Sequence, residues 1–154
     1  MRNALYALLV TTAVIGLGCS GEQRSAPADL HAISGTVTLN GTPVEGVSLK
    51  FIPDHGTTSL GGYAASDQDG HFEVKHLSNT NQSDGLEAGT YQVVFSKLTL
   101  PNGSPIPDGQ SPTDSGAIES LPPHLSKPAQ KNPLHTLKVD AAKNDVEFHL
   151  KSKR

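Results

Sequence analysis

The sequence predicts an all-β fold, a single antiparallel β-sandwich of about seven strands, and three observations carry that prediction. Apolar and polar residues alternate over short segments, as the half-buried face of a strand requires. Clusters of Gly, Asn, Asp and Pro separate these segments and are typical of turns. No helical period follows the first thirty residues, so repeated short strands are expected to form two packed sheets.

The first strand and turn are the most clearly specified. In HAISGTVTLNG, apolar positions between Ile33 and Leu39 alternate with serine and threonine. Asn40 and Gly41 follow, and this pair tolerates the positive φ angles of a type I′ turn. The partner strand is expected in PVEGVSLKFIP, so we predict a hairpin. Its inward-facing side chains are Val47, Leu49 and Phe51.

Three later segments predict the remaining strands. GGYAASDQDGHFEV is typical of two strands joined by a tight turn through Asp67, Asp69 and Gly70. GTYQVVFSKL predicts one strand, and HTLKVDAAKNDVEFHLK predicts two, with a turn at residues 143–145. The side chains expected to face inward are Phe72, Val74, Tyr91, Val93, Phe95, Leu137, Val139, Val146, Phe148 and Leu150.

The start of the chain has the pattern of a signal peptide. Arg2 is the only charged residue before Cys19, and the apolar run ALYALLVTTAVIGLG occupies residues 4–18. This run is shorter than the roughly 20 residues that a membrane-spanning helix needs. A single positive charge, an apolar core and a small-residue end therefore predict that residues 1–18 are a secretory signal peptide.

Cys19 is the only cysteine, so it cannot form an internal disulfide. A small residue, Gly18, followed by Cys19 resembles the lipobox of bacterial lipoproteins, although Leu17 stands one place later than the usual leucine. The resemblance implies that Cys19 takes a diacylglycerol, becomes the new N-terminus and is then acylated. Several acyl chains anchor a protein stably, and the expected location is the cell membrane or outer membrane, facing an extracytoplasmic space. The alternative is an ordinary secreted protein with a free thiol.

The rest of the chain divides into a tether and one domain. Residues 19–30 are small, polar and proline-containing, which is typical of a flexible tether. Residues 31–151 have the length of one ordinary domain. Within it, a loop at residues 98–133 holds eight of the eleven prolines. Its second half is expected to pack on the sandwich edge, and the loop is either a partner-contacting surface or a variable insertion. The packing residues would be Ile118, Leu121 and Leu125.

Residues 31–151 also resemble a known family. GTVTLNGTPVEGV, SDQDGHF and LEAGTYQV are similar to the ordered motifs of carboxypeptidase regulatory-like, transthyretin-like (prealbumin-like) sandwich domains, and the ending resembles that of small planctomycete-type lipoproteins. Ser66 and Ala88 replace the family's usual threonine and proline, and His124 and Leu125 stand where an aromatic is more usual. The resemblance implies a fold rather than a function, because such folds serve many roles.

The sequence contains no residue set that predicts catalysis, a metal site or a cofactor. None of the common hydrolase, zinc-protease, nucleotide or dinucleotide motifs occurs. D-x-D-G at residues 67–70 opens like a calcium loop, but His71 and Ser78 occupy its fifth and twelfth positions, so a metal-free turn is the stronger interpretation. Adhesin-like relatives of the fold form Lys–Asn isopeptide bonds, but the candidate residues are expected on outward faces. Those candidates are Lys50, Glu73 and Asn144.

These observations favour a non-catalytic role at a membrane. The chain has no basic stripe, which argues against a nucleic-acid partner. We expect a structural or protein-interaction module of the cell envelope, with an unidentified envelope protein as partner. The alternative is a module that binds an envelope glycan or a small ligand. Glycan binding is the weaker prediction because the chain has no tryptophan and Tyr63 is its one expected exposed ring.

Overall fold

The computed structural model describes residues 29–78, 83–127 and 135–152, and within them the chain is almost entirely β-structure. The one helix there is a single turn beginning just after Pro122. The all-β prediction is therefore confirmed. The elements are β1 (Ile33–Leu39), β2 (Thr42–Pro43), β3 (Ser48–Pro53), β4 (Gly62–Ala65), β5 (His71–Glu73), β6 (Lys75–His76), β7 (Gly89–Ser96), β8 (Leu98–Thr99), β9 (Ile118–Glu119), α1 (Pro123–Ser126), β10 (Thr136–Val139) and β11 (Lys143–Leu150).

The strands form two sheets and a small ribbon. In the four-stranded sheet, β1 lies between β11 on one side and β2 and β5 on the other. The five-stranded sheet has the order β10-β7-β3-β4-β6, and every pairing in it is antiparallel. β8 and β9 pair only with each other and form the ribbon.

The buried faces of the two sheets share one hydrophobic core. Phe72 and Phe148 come from the four-stranded sheet, and Phe51 and Phe95 from the five-stranded sheet. Ring centroids lie 6.4 Å apart for Phe51 and Phe72, and 5.2 Å apart for Phe95 and Phe148. Of the side chains predicted to face inward in the strands, all are buried except Leu39 and Val146, which are partly buried against the core.

The prediction of a wholly antiparallel fold is wrong for the first and last strands. β1 and β11 run parallel, with Gly35 opposite Val146 and Val37 opposite Phe148. Parallel strands need a crossover connection, and here nearly the whole domain lies between the two. The lack of a Cβ at Gly35 lets β11 approach, because an added Cβ would lie 1.8 Å from the Val146 carbonyl oxygen.

The long hairpin predicted after β1 is also wrong beyond its turn. Of the predicted partner strand, only Thr42 and Pro43 pair with β1, and β3 then joins β4 and β7 in the other sheet. Ser66 holds this change of sheet in place. Its buried hydroxyl accepts a hydrogen bond from Val47 N at 2.9 Å and donates one to the Val44 carbonyl at 2.7 Å. This crossover buries Val47 although it lies outside the strands.

The last turn lies earlier than the sequence predicts. Residues 140–142 connect β10 to β11, and the segment 143–145 that was predicted as a turn already belongs to β11. Lys143 N donates to the Ala32 carbonyl at 2.9 Å, so pairing with the first strand begins there. Pairing with a strand more than one hundred residues away therefore overrides the local turn signal.

Candidate functional site

The predicted lipid attachment site, Cys19, lies outside the described residues. The signal peptide at residues 1–18 and most of the tether at residues 19–30 lie outside them as well. Among residues 29–78, 83–127 and 135–152, no helix is both long and apolar enough to cross a membrane. Lipidation therefore stays a prediction from the sequence.

The turn at Asn40 and Gly41 also fastens the end of the chain. Both residues have positive φ angles, 52° and 85°, as a two-residue hairpin turn requires. Asn40 N donates to the Leu150 carbonyl at 2.8 Å, and Asn40 Oδ1 accepts from Ser152 N at 3.0 Å. The turn therefore holds the C-terminal end of β11 against β1, a role that the local sequence does not reveal.

In the turn at residues 67–70, the Asp67 carboxylate bonds to backbone N–H groups of the turn itself. The Asp67 carboxylate accepts hydrogen bonds from the N–H groups of Asp69 and His71, at 3.0 and 2.8 Å. Gly70 has a φ of 74°, and a Cβ there would lie 2.5 Å from the Val37 carbonyl oxygen. The carboxylate and the glycine thus serve the turn. In the part of the chain that the structure describes, no group of three or more His, Cys, Asp or Glu side chains could hold a metal ion.

The residues considered for an isopeptide bond are not brought together. Glu73 and Asn144 line one shallow cavity of about 170 Å³ beside the N-terminal end of β1. Lys50 lies on β3, on the exposed face of the other sheet. Without the lysine beside the acid and the amide, this geometry gives no crosslink.

The structure describes the predicted loop at residues 98–133 up to residue 127. This part contains the β8–β9 ribbon and, after it, two leucines that anchor the chain in the core. Leu121 and Leu125 are both buried in the core, as predicted. Ile118 was predicted to pack there too, and this is wrong: it is 51% exposed, and Leu98 is 41% exposed. β9 lies outside the two main sheets and pairs only with β8.

One carboxylate, which no sequence motif marks as functional, fixes the base of this ribbon. Glu119 Oε1 accepts from Lys97 N and from Leu121 N, both at 2.9 Å. Glu119 Oε2 accepts from the Ser96 hydroxyl at 2.6 Å. Charge-assisted hydrogen bonds to backbone N–H groups are stronger than neutral ones. Glu119 therefore joins the end of β7 to β9. It lies 22 residues after Lys97 in the sequence, so its hydrogen bonds close the loop between these two residues.

We expect the substitution Glu119→Ala to loosen the ribbon while the two sheets stay folded. Three donors lose their acceptor, and each such loss costs about 1–3 kcal/mol where the donor is shielded from water. The measurement is limited proteolysis and amide hydrogen exchange over residues 98–120. Asp108→Ala, an exposed acid in the same loop, is the matched control. Equal protection in both variants would contradict the role assigned to Glu119.

A buried polar cluster lies around the histidine of β6, an edge strand of the five-stranded sheet. His76 is 2% exposed, and its Nε2 lies 3.1 Å from Glu87 Oε2. Its Nδ1 has no hydrogen-bond partner among the described residues. Tyr91 donates its hydroxyl to the Glu87 carbonyl at 2.8 Å, and burial raises the pKa of this hydroxyl above its ordinary value. The cluster holds the segment containing Glu87 against β6 and β7.

A half-buried histidine should make stability depend on pH. The His135 ring packs edge-on against Phe95, with centroids 4.9 Å apart, and lies 5.9 Å from Phe148. Burial, and then the charge of His124, lower the pKa of His135 below its ordinary value of 6.5. The folded state thus favours the neutral ring. The contribution of His135 to the free energy of unfolding is complete above pH 6.5 and is lost as the pH falls through its lowered pKa.

The expected result is a smaller loss of stability on acidification in the variant His135→Gln than in the natural chain. Urea midpoints at pH 7.5 and pH 5 measure it. His149→Gln, an exposed histidine paired with Glu147, is the control. If all three proteins lose the same stability between the two pH values, His135 is not the group responsible.

The outer face of the five-stranded sheet carries a row of cationic and aromatic side chains. Tyr63 lies directly opposite Lys75 on one neighbouring strand and Lys50 on the other. We call these three residues the lysine–tyrosine row. Val94 continues the row on β7, opposite Lys50. The five strands contain no aspartate or glutamate, although the whole chain has a net charge of −3.

Comparison with known proteins adds no functional information. No family model matches the chain, and no curated protein matches it. The chain is similar to part of a solved structure described as a 9R-lipoxygenase from Cyanothece PCC8801, with 16% sequence identity and a TM-score of 0.36. The similarity covers 79% of this chain and 16% of that chain. The strands and the shared core themselves define the class of the described part of the chain, a nearly all-β protein with two sheets around one core.

Proposed function

We propose that this chain is a membrane-tethered, non-catalytic β-sandwich that acts as a structural or protein-interaction module of the cell envelope. In this proposal the two sheets form a sandwich of the carboxypeptidase regulatory-like, transthyretin-like type, and Cys19 carries the lipid. The core shared by the two sheets and the order of the sequence motifs support the fold assignment. The lipobox-like segment supports the anchor.

One observation carries the interaction role: the fixed ribbon, which presents Leu98 to solvent on one face and Ile118 on the other. These are two of the large apolar side chains left exposed in the described part of the chain. Loop residues held by a rigid scaffold are common binding positions. The Glu119 hydrogen bonds and the buried Leu121 hold the ribbon in place, so less conformational entropy is lost when a partner binds.

The anchor is tested by the intact mass of the protein from the membrane fraction, beside a Cys19→Ala variant. We expect a mass equal to residues 19–154 plus a triacyl group, with the variant unprocessed or soluble. A bare thiol at Cys19, or cleavage elsewhere, would refute the anchor. Neither result bears on the interaction role, which has its own test.

The interaction role is tested by photo-crosslinking in intact cells from position 118, with position 147 as control. Glu147 is exposed on β11, in the four-stranded sheet, and is not part of the ribbon. We expect a discrete protein adduct from position 118 that is lost when Glu119→Ala loosens the ribbon. Adducts identical to those from position 147 would refute the ribbon as a partner surface.

A further inference from the structure

We infer that the outer face of the five-stranded sheet binds an anionic polysaccharide across the lysine–tyrosine row. This face is distinct from the ribbon, and the inference goes beyond the proposed interaction role. It concerns a ligand of defined chemistry, a sugar polymer that carries carboxylate or sulfate groups. The three residues of the row are far apart in the sequence, at positions 50, 63 and 75, and only the strand pairing brings them together.

The geometry of the row suits a sugar ring flanked by anions. Residues directly opposite one another on paired strands have Cβ atoms about 4.5–5.5 Å apart. Tyr63 is 37% exposed, so part of its ring is free to offer a flat apolar surface beside a polar hydroxyl. Lys50 and Lys75 flank it on both sides. A sugar stacked on the ring would thus have the Lys50 ammonium within reach at one edge and the Lys75–Asp84 ion pair at the other.

The distribution of charge favours an anionic ligand. Lys50, Lys75 and Lys138 are the only charged residues of the five strands apart from the histidine of β6, and no strand of this sheet carries an acid. Among the described residues, Lys50 and Lys138 have no acidic partner, whereas Lys75 pairs with the exposed Asp84. The acids Glu73, Asp145 and Glu147 belong to strands of the other sheet. The molecule is acidic overall but has one face without acidic strand residues.

The spacing of the cations favours a polymer over a small anion. Lys138 lies opposite Thr90, and Lys50 lies opposite Val94, four residues further along β7. At about 3.3 Å per residue, these positions are separated by about 13 Å along the strand. Exposed ion pairs are individually weak, so a repeating anion that engages several lysines at once gains most. A membrane surface is less suited, because Tyr63 is the one large apolar side chain exposed on the strands of this sheet.

The test is a binding titration of the purified full chain with polygalacturonate and with dextran sulfate. Neutral dextran is the uncharged control, and vesicles of phosphatidylglycerol and phosphatidylcholine are the membrane probe. We expect saturable binding to at least one polyanion, none to dextran, and weakening at an ionic strength of about 0.3 M. Lys50→Gln and Tyr63→Ala should each weaken binding about fivefold, and their combination more strongly.

Matched variants distinguish this site from general attraction of polyanions. Lys143→Gln removes a lysine from the other sheet and should change the affinity less than twofold. Urea midpoints identify any variant that has lost stability. Four results would each overturn the inference. These are no binding to either polyanion, an equal loss of affinity in Lys143→Gln, equal binding to neutral dextran, and preferential binding to the anionic vesicles. Leu98→Ser should leave polysaccharide binding unchanged, so this proposal and the ribbon proposal can fail independently.

Discussion

Replacing Gly35 with alanine should remove most of the stability of this fold. The new Cβ would lie 1.8 Å from the Val146 carbonyl oxygen and 2.6 Å from its carbon. Both are backbone atoms of β11, so no side-chain rotation relieves the overlap. β1 is paired along both edges and cannot shift without breaking one of its pairings. We expect a loss of at least about 4 kcal/mol, from the 5–15 kcal/mol that is typical of a domain.

Urea unfolding of Gly35→Ala beside Thr36→Ala measures this effect. Thr36 is exposed on the same strand, and its replacement should cost no more than about 1 kcal/mol of strand propensity. The glycine variant is expected to unfold at a far lower urea concentration or to be unfolded without denaturant. Similar midpoints for the two variants would show that β11 does not approach β1 at Gly35 as closely as the structure has it.

The inward faces of the strands could be predicted from the sequence because burial in a strand follows a local period of two. Val37, Leu49 and Phe95 are buried where alternation places them. Strand partners could not be predicted in this way, because alternation specifies a face and not a neighbour. The buried hydroxyl of Ser66 holds the segment where the chain changes sheet, and the missing Cβ of Gly35 leaves room for β11 beside β1. Both act through residues distant in the sequence.

The same division holds for the candidate sites. The positive φ angles at Asn40 and Gly41, and the backbone hydrogen bonds of Asp67, follow from short-range turn chemistry. In the sequence Glu119 resembles any exposed acid, because two of its donors, Ser96 and Lys97, lie at the end of β7 and become its neighbours only in the fold. The lysine–tyrosine row was invisible for a similar reason. The sequence predicts one exposed ring, Tyr63, but the two lysines that flank it are brought there by strand pairing.

Phe148→Ala is expected to be the most damaging truncation in the core of the two sheets. Phe148 is 5% exposed, and its ring contacts three others: Phe72 at 5.7 Å, Phe95 at 5.2 Å and His135 at 5.9 Å. Phe72 lies in the same sheet, whereas Phe95 lies in the opposite sheet. Removal of a buried phenylalanine ring typically costs about 3–5 kcal/mol, and here it opens a cavity between two sheets.

The comparison of Phe148→Ala with Phe148→Leu separates lost packing from lost β-structure. Leucine keeps much of the buried volume and should cost much less than alanine, whereas His149→Ala on the same strand faces solvent and should cost least. Among the described strands, β11 pairs with β1 alone, so side chains such as Phe148, and not strand pairing, join it to the five-stranded sheet. A small effect of Phe148→Ala would mean that the aromatic cluster is not what holds the two sheets together. A large effect, with circular dichroism still showing β-structure at low temperature, would place the cohesion of the sheets in that cluster.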